Sequence, residues 1–249
     1  MTCYHPLQAY RPNFEEKQSG CKKIVFNPRP GAEGESIKLP CQKCDGCRLE
    51  YSRQWAIRCM HEASLYQDNC FITLTFNKEH LPEDGSLDVD VFQRFMKRFR
   101  KRYRSIKIRF YHCGEYGSKN GRPHYHACIF GFDFPDKVPY KVDRGYNLFI
   151  SESLSQLWPY GFSTIGAVTF QSAAYVARYM MKKWKGKDAK DYYRRINPKT
   201  GEYVDLKPEY ATMSRRPGIG SDWLKKYGSD VYPSDYVIVN GKKVKPGLS

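Results

Sequence analysis

The segment Gly121-Arg-Pro-His124-Tyr125-His126-Ala-Cys-Ile-Phe130 has the most specific chemistry-bearing spacing in the chain. On an extended strand residues two apart share a face, so His124 and His126 present two imidazoles to one point while Tyr125 enters the opposite layer. A bare His-x-His fits two surface or core histidines equally well. Glu115 sharpens the reading: it lies nine residues before His124, across a glycine-containing connection that folds one strand back beside the other. Two imidazoles and one carboxylate suit Mg²⁺, Mn²⁺ or a related divalent ion with open positions for substrate oxygens. His112 has the wrong parity relative to Glu115 and is expected to pack.

A second constellation is Tyr175-Val-Ala-Arg178-Tyr179-Met-Met-Lys182-Lys183. Tyrosines at i and i+4 share one side of a helix, and each is followed three residues later by a base, Arg178 and Lys182. An aromatic stripe buried in a core explains the tyrosines alone; the dense positive charge favours a place where a phenolate or a phosphate is stabilised. A metal-bound phosphodiester and a nearby tyrosine complement each other. The ion offsets developing negative charge, and a tyrosine oxygen attacks phosphorus to leave a covalent phosphotyrosine that conserves the bond for rejoining.

Cys41-Gln-Lys-Cys44-Asp-Gly-Cys47 supplies three thiolates, and a structural Zn²⁺ takes four ligands in a closed tetrahedron. Cys3 is the preferred fourth, with His5 next and Cys21 behind. Three reduced cysteines in a turn are the alternative without metal. Cys59, Cys70, Cys113 and Cys128 are spaced like core residues.

These groups sit in a chain of 249 residues with 42 Lys+Arg against 26 Asp+Glu, a formal charge of +16. Such an excess argues against a neutral metabolic enzyme and for a polyanionic partner, nucleic acid before an anionic membrane surface. No apolar run reaches the ~18 residues of a membrane span, and the start lacks a secretory pattern, so an intracellular, reducing compartment is expected. Between Val91 and Gly114 there is no acidic residue, while Arg94, Lys97, Arg98, Arg100, Lys101, Arg102, Arg104, Lys107 and Arg109 all fall there. A charge run is usually a solvated face; one without counter-charge is expected to contact phosphate and to line a groove leading to Glu115, His124 and His126. Tyr192, Tyr193, Arg194 and Arg195 mix aromatics and charge as a single-strand channel does. No G-x-x-x-x-G-K-[ST] loop occurs, so helicase activity would come from elsewhere.

The elements that must position these residues follow from periodicity. Arg48 to about Gln67 repeats apolar residues at helical spacing, and Phe71-Ile-Thr-Leu-Thr-Phe76 alternates as a half-buried strand. Asp88 or Asp90 caps a helix whose Phe92, Phe95, Met96, Phe99 and Tyr103 form an apolar stripe. Residues 106–115 and 124–130 read as an antiparallel hairpin, 131–161 as a proline-containing loop region, 162–168 as a strand and 171–183 as a helix. The first forty residues read as an irregular arm. Asn240-Gly241 marks a terminal hairpin. The order points to an α+β sandwich with a mainly antiparallel sheet.

In order along the chain, Phe71 to Phe76, Glu115-Tyr-Gly, Arg122-Pro-His124-Tyr125-His126 and Tyr175-Val-Ala-Arg178-Tyr179 resemble the motifs of the HUH replication initiators. They look most like those of small single-stranded DNA phages, the microviruses, particularly the gokushovirus branch. The early Cys with Cys41-x-x-Cys44-x-x-Cys47-Arg48, and Ser214-Arg-Arg-Pro-Gly-Ile-Gly220, extend the resemblance from residue 3 to about 223. It implies an α+β HUH endonuclease fold, with a five-stranded, mainly antiparallel sheet flanked by helices, over 48–230. A Cys-rich arm precedes it over 1–47, and a C-terminal hairpin or tail follows over 231–249.

The resemblance further implies Glu115, His124 and His126 around Mg²⁺ or Mn²⁺, Tyr175 and Tyr179 as nucleophiles, and Zn²⁺ on Cys3, Cys41, Cys44 and Cys47. Family members usually carry lysine three residues after each tyrosine. Arg178 occupies the first such position here, which leaves Lys182 or Lys183 as the base assisting at the metal. Arg94, Lys97, Arg98, Lys101, Arg102, Arg122 and Arg178 are the expected DNA contacts. The implied activity is nicking and rejoining of single-stranded origin DNA in rolling-circle replication, in the host bacterial cytoplasm, with host proteins including a helicase and without a membrane. A non-catalytic zinc-dependent nucleic-acid-binding protein, and an HUH relaxase or transposase, are the competing readings.

Overall fold

The computed structural model describes residues 3–11, 24–27, 34–117, 120–143, 145–182, 188–197, 200–231, 236–239 and 241–244. The chain divides into two units, Met1–Tyr51 and Ser52–Ser249. In the first, β1 (Leu7–Arg11) pairs antiparallel with β2 (Glu35–Leu39), Leu7 opposite Leu39, and Tyr10 exchanges backbone hydrogen bonds of 2.8 and 3.0 Å with Val25. The arm read as irregular therefore contains a hairpin. Its strands are largely exposed around the buried Ala9, so burial imposes little apolar alternation on their sequence. α1 (Asp45–Ala63) begins here and continues into the second unit.

The second unit contains, in chain order, β3 (Asn69–Thr75), α2 (Val89–Arg102), β4 (Arg109–Tyr116), β5 (Pro123–Phe130), β6 (Val138–Asp143), β7 (Tyr146–Ile150), α3 (Glu152–Leu157), β8 (Ser163–Gly166) and α4 (Phe170–Lys182). There follow α5 (Asp188–Tyr193), β9 (Arg194–Ile196), β10 (Tyr203–Asp205), β11 (Tyr210–Met213), α6 (Ser221–Val231), β12 (Val237–Val239) and β13 (Lys242–Val244). Seven strands form one sheet in the order β11-β4-β5-β3-β8-β7-β6, with every neighbouring pair antiparallel. This exceeds the five strands that the resemblance implies. The additional pair is the β6–β7 hairpin, within the stretch read as loop. β6 is an exposed edge strand, where Pro139 is tolerated and no buried face imposes a period of two.

Alternation assigns the sheet's two faces. Ile72, Leu74, Tyr125, Ala127 and Ile129 point to one face and pack against Phe92, Phe95, Met96 and Phe99 of α2 and Leu154 and Leu157 of α3. α2 starts where the Asp88 side chain accepts a hydrogen bond from Asp90 N, an N-cap that occupies an otherwise orphan donor. Tyr111, Cys113, Cys128 and Phe130 point to the other face, under Ala56, Cys59 and Ala63 of α1 and Ala173, Val176 and Ala177 of α4. His112 is fully buried on the α2 side, stacked on Phe92 with ring centroids 3.4 Å apart and bonded to Thr212 Oγ1 at 2.9 Å.

One charged pair is buried beneath the second face. Glu62 of α1 pairs with Arg109 at the start of β4. Arg109 Nη2 donates to Pro217 O and Gly218 O at 2.9 and 3.0 Å, and Gly220 N donates to Glu62 Oε2 at 2.8 Å. Arg109, one of the bases expected to face phosphate, is therefore a core residue with its charge already matched.

Candidate metal centre and active site

β4 and β5 are in register with Glu115 opposite His124, and β5 and β3 with His126 opposite Thr73. Strand parity then puts Glu115, His124 and His126 on the α4 face. His124 Nε2 and His126 Nε2 lie 2.7 and 2.8 Å from Glu115 Oε1, and the ligand atoms of all three residues lie within 4.8 Å of one another. Outer contacts orient the rings: His124 Nδ1 donates to Arg122 O at 3.1 Å, and His126 Nδ1 meets Thr73 Oγ1 at 3.0 Å. Phe71 stacks on His126, with centroids 5.6 Å apart.

α4 brings the tyrosine. Its start is fixed reciprocally, Ser172 N donating to Thr169 Oγ1 at 3.1 Å and Thr169 N to Ser172 Oγ at 2.8 Å. Burial of Ala173, Val176 and Ala177 sets the helix's rotation. Tyr175 Oη then donates to Glu115 Oε1 at 2.8 Å, and its ring stands edge-on to His126 at 5.0 Å. Arg178 places its guanidinium carbon 5.8 Å from the Tyr175 ring centre. The side chains of Tyr179 and Lys182, and all of Lys183, lie outside the described residues.

The donor set fits a divalent cation. Two imidazole nitrogens and a phenol crowd one oxygen of a buried carboxylate, while Glu115 Oε2, equally buried, has no hydrogen-bond partner among the described residues. A carbonyl only accepts, so His124 carries its proton on Nδ1; a neutral ring then turns the Nε2 lone pair toward a carboxylate, an arrangement that asks for positive charge between them. Burial favours a neutral Glu115, yet the hydrogen bonds from His124 and His126 outweigh it and hold the carboxyl at about 2. Burial also opposes charging His124, and the Glu115 contact reverses this and raises it, whereas burial keeps His126 below its usual value. Burial, then the Glu115 charge, push the Tyr175 phenol well above its ordinary range.

The family model of replication-associated protein ORF2 and its relatives matches residues 69–184, the span from β3 through α4. Replication-associated protein VP4 of Bdellovibrio phage phiMH2K is 34% identical over 98% of this chain and 74% of its own. The chain belongs to the phage replication-associated proteins. Replication-associated protein ORF2 of Spiroplasma virus 4 is 31% identical over 98% of this chain and 76% of its own, and ORF4 of Chlamydia phage 1 is 34% identical over 60% and 39%. No solved structure matches.

In the first unit of this family member, the sulfurs of Cys3, Cys41, Cys44 and Cys47 also lie within 4.8 Å of one another. Backbone amides point at three of them: Cys41 N to Cys3 Sγ at 3.3 Å, Cys44 N to Cys41 Sγ at 3.4 Å and Tyr4 N to Cys44 Sγ at 3.4 Å. Gln42 adopts φ 59°, which lets the Cys-x-x-Cys turn close. The amides of Tyr4 and Cys47 hold the Cys44 thiol at about 6, while burial pushes Cys47 up to about 12. His5 is outside this group, and Cys21 is outside the described residues.

The basic residues distribute differently from expectation. α2 covers the sheet face opposite Glu115, His124 and His126, so its bases do not line a groove to that site. Arg94 pairs with Asp88 at 3.7 Å. Arg98 donates twice to Leu157 O at 3.2 and 3.0 Å, and Arg102 donates to Gln156 Oε1 and Ser153 Oγ at 2.7 and 3.3 Å; both tie α2 to α3. Lys97 and Lys101 are exposed on the same helix. A helical charge run cannot reveal which sheet face its apolar stripe will cover. Arg100, Arg104, Lys107, Arg215 and Arg216 instead line a separate cleft of about 470 Å³.

On the site's own side stand exposed Arg122 and Arg178, joined by Arg195 of β9. Gly121 turns at φ +60°, and a Cβ there would meet Arg195 Nη1 at 2.5 Å, so this guanidinium rests on the connection before His124. Tyr193, by contrast, is buried and bonded to Glu209. Among the described residues no helix is long and apolar enough to cross a membrane.

Proposed function

We propose that the protein initiates phage DNA replication as a metal-dependent tyrosine endonuclease and strand transferase of the HUH type, acting on single-stranded origin DNA in the host cytoplasm. The observation that carries this reading is the 2.8 Å bond from Tyr175 Oη to Glu115 Oε1, which seats a nucleophile inside a His/His/Glu donor set. Glu115, His124 and His126 hold Mg²⁺ or Mn²⁺, and the ion polarises the scissile phosphate and offsets the carboxylate charge that keeps the phenol protonated.

Tyr175 Oη loses its proton and forms a bond to phosphorus as the bond to O3′ breaks. The O3′ leaves with the electron pair and takes up a proton as a free 3′ hydroxyl for synthesis. A 5′-phosphotyrosine remains, and a later 3′ hydroxyl attacks it to rejoin the strand and release the tyrosine. Tyr179, one helical turn on, serves as the second nucleophile, with Lys182 or Lys183 as the assisting base. Arg122, Arg178 and Arg195 are placed to meet phosphates on the site face. Lys97 and Lys101, with what remains free of Arg94, Arg98 and Arg102, contact DNA only away from the cut.

Cys3, Cys41, Cys44 and Cys47 hold a structural Zn²⁺, supported by a closed set of four thiolates and the amides that stabilise them. Strand separation falls to a host helicase.

The test is incubation of the protein with labelled single-stranded oligonucleotides tiling the phage genome and Mn²⁺, followed by denaturing electrophoresis. A denaturation-resistant protein–DNA adduct is expected at one site. Folded protein that yields no adduct with any divalent ion would leave a zinc-dependent DNA-binding protein instead.

A further inference from the structure

Phe162, just before β8, continues the cross-sheet row that carries the metal ligands. Glu115 stands opposite His124, and His124 opposite Thr75. Thr75 N and Oγ1 then both donate to Phe162 O, at 2.9 and 2.8 Å, extending the register in which Leu74 faces Ser163. Residues directly opposite in an antiparallel ladder share a face, so Phe162 stands on the face of His124, two strands and ~10 Å away. The backbone is pinned there: a Cβ on Gly161 would fall 2.3 Å from Thr75 O.

Phe162 is 49% exposed, and its ring lies 5.3 Å from that of Tyr140, which is 47% exposed. Tyr140 sits where the β6–β7 register shifts, and such a bulge re-aims a side chain, here toward Phe162 across β7. Lys141 Nζ lies 5.7 Å from the Tyr140 ring centre. Neither ring belongs to a core cluster. Two half-exposed rings beside an ammonium group, on the face of a proposed phosphodiester site, are the parts of a stacking platform.

We propose that Phe162 and Tyr140 stack on an unpaired base flanking the scissile phosphate, while Lys141 meets the adjoining phosphate. The strand is single, because a base already stacked in a duplex has no free face to offer. The identity of the ligand rests on the nuclease reading above; the platform itself rests on register and exposure. Its function is to set where the strand lies relative to Tyr175.

The experiment compares fluorescent oligo-dT with an abasic strand of equal length, hence equal phosphate charge, by anisotropy with the full chain at fixed salt and without a divalent ion. Wild type is expected to bind oligo-dT about 5- to 100-fold more tightly. Tyr140→Ala with Phe162→Ala removes most of that preference and leaves abasic binding unchanged within about twofold, whereas Phe162→Trp retains the preference. Tyr140→Ala alone, at an exposed edge position, loses part of it with an unchanged melting temperature. A wild type without preference, a double variant that keeps it, or equal weakening toward both strands overturns the proposal. Adduct formation with Mn²⁺, measured separately, distinguishes the failures: an adduct without base preference sinks the platform alone, and base preference without an adduct sinks the nuclease reading alone.

Discussion

Tyr175 on α4 and Glu115 on β4 meet through one 2.8 Å hydrogen bond although 60 residues separate them in the chain. The contact holds the phenol proton and aims Oη at the point where both imidazoles converge. Tyr175→Phe removes the nucleophile and keeps the ring packing, so the first cut is expected to fall by on the order of 10³-fold, with melting temperature within a few degrees of wild type. Single-turnover adduct formation measures it. Undiminished adduct in Tyr175→Phe, lost only in the double change with Tyr179→Phe, would make the two tyrosines interchangeable.

The two donor sets lie on separate units and should respond separately. Cys44→Ser is expected to release zinc, read by elemental analysis of the purified protein, and to expose the Met1–Tyr51 unit to proteolysis. His126→Ala is expected to abolish Mn²⁺-dependent cleavage with zinc content unchanged. Joint loss of both signals in His126→Ala would mean that the two sites are not independent.

The grouping of Glu115, His124 and His126 was legible because strand parity is a short-range property: three residues on two adjacent strands meet once the hairpin closes. Cys3 was legible for a different reason, since a three-thiolate cluster lacks one ligand and the Cys41 amide meets the Cys3 sulfur across 38 residues. Phe162 was not legible, because its place beside the site depends on register carried through Thr75 across two further strand pairings. The β6–β7 hairpin was hidden by Pro139 and by exposure on both faces, and Arg109 was hidden inside a run of free bases because only Glu62, 47 residues earlier, identifies it as buried.

That burial makes Glu62 a sensitive position. Glu62→Ala leaves the Arg109 guanidinium in the core with only backbone carbonyls to meet it and also frees Gly220 N. The expected loss is about 3–5 kcal/mol, because removing one partner strands a buried charge. Denaturant unfolding measures it. A loss below about 1 kcal/mol would show that water reaches Arg109 and that the pair is not a core element.

His61 supplies a pH test away from both donor sets. It stacks on Trp223 with ring centroids 3.7 Å apart, and burial lowers its pKa to about 4. The unfolded chain, with an ordinary value near 6.5, binds a proton below that pH while the folded protein does not. Stability from neutral His61 is therefore complete above about pH 6.5, declines as pH falls toward 4, and is flat below. Partial exposure keeps the effect under what the full shift implies. His61→Phe preserves a flat ring on Trp223 and removes the titration, so the difference in melting temperature between the variant and wild type should widen in the variant's favour from pH 7 to pH 4. A pH-independent difference would mean that His61 takes up its proton in the folded state, and that the stack does not exclude water.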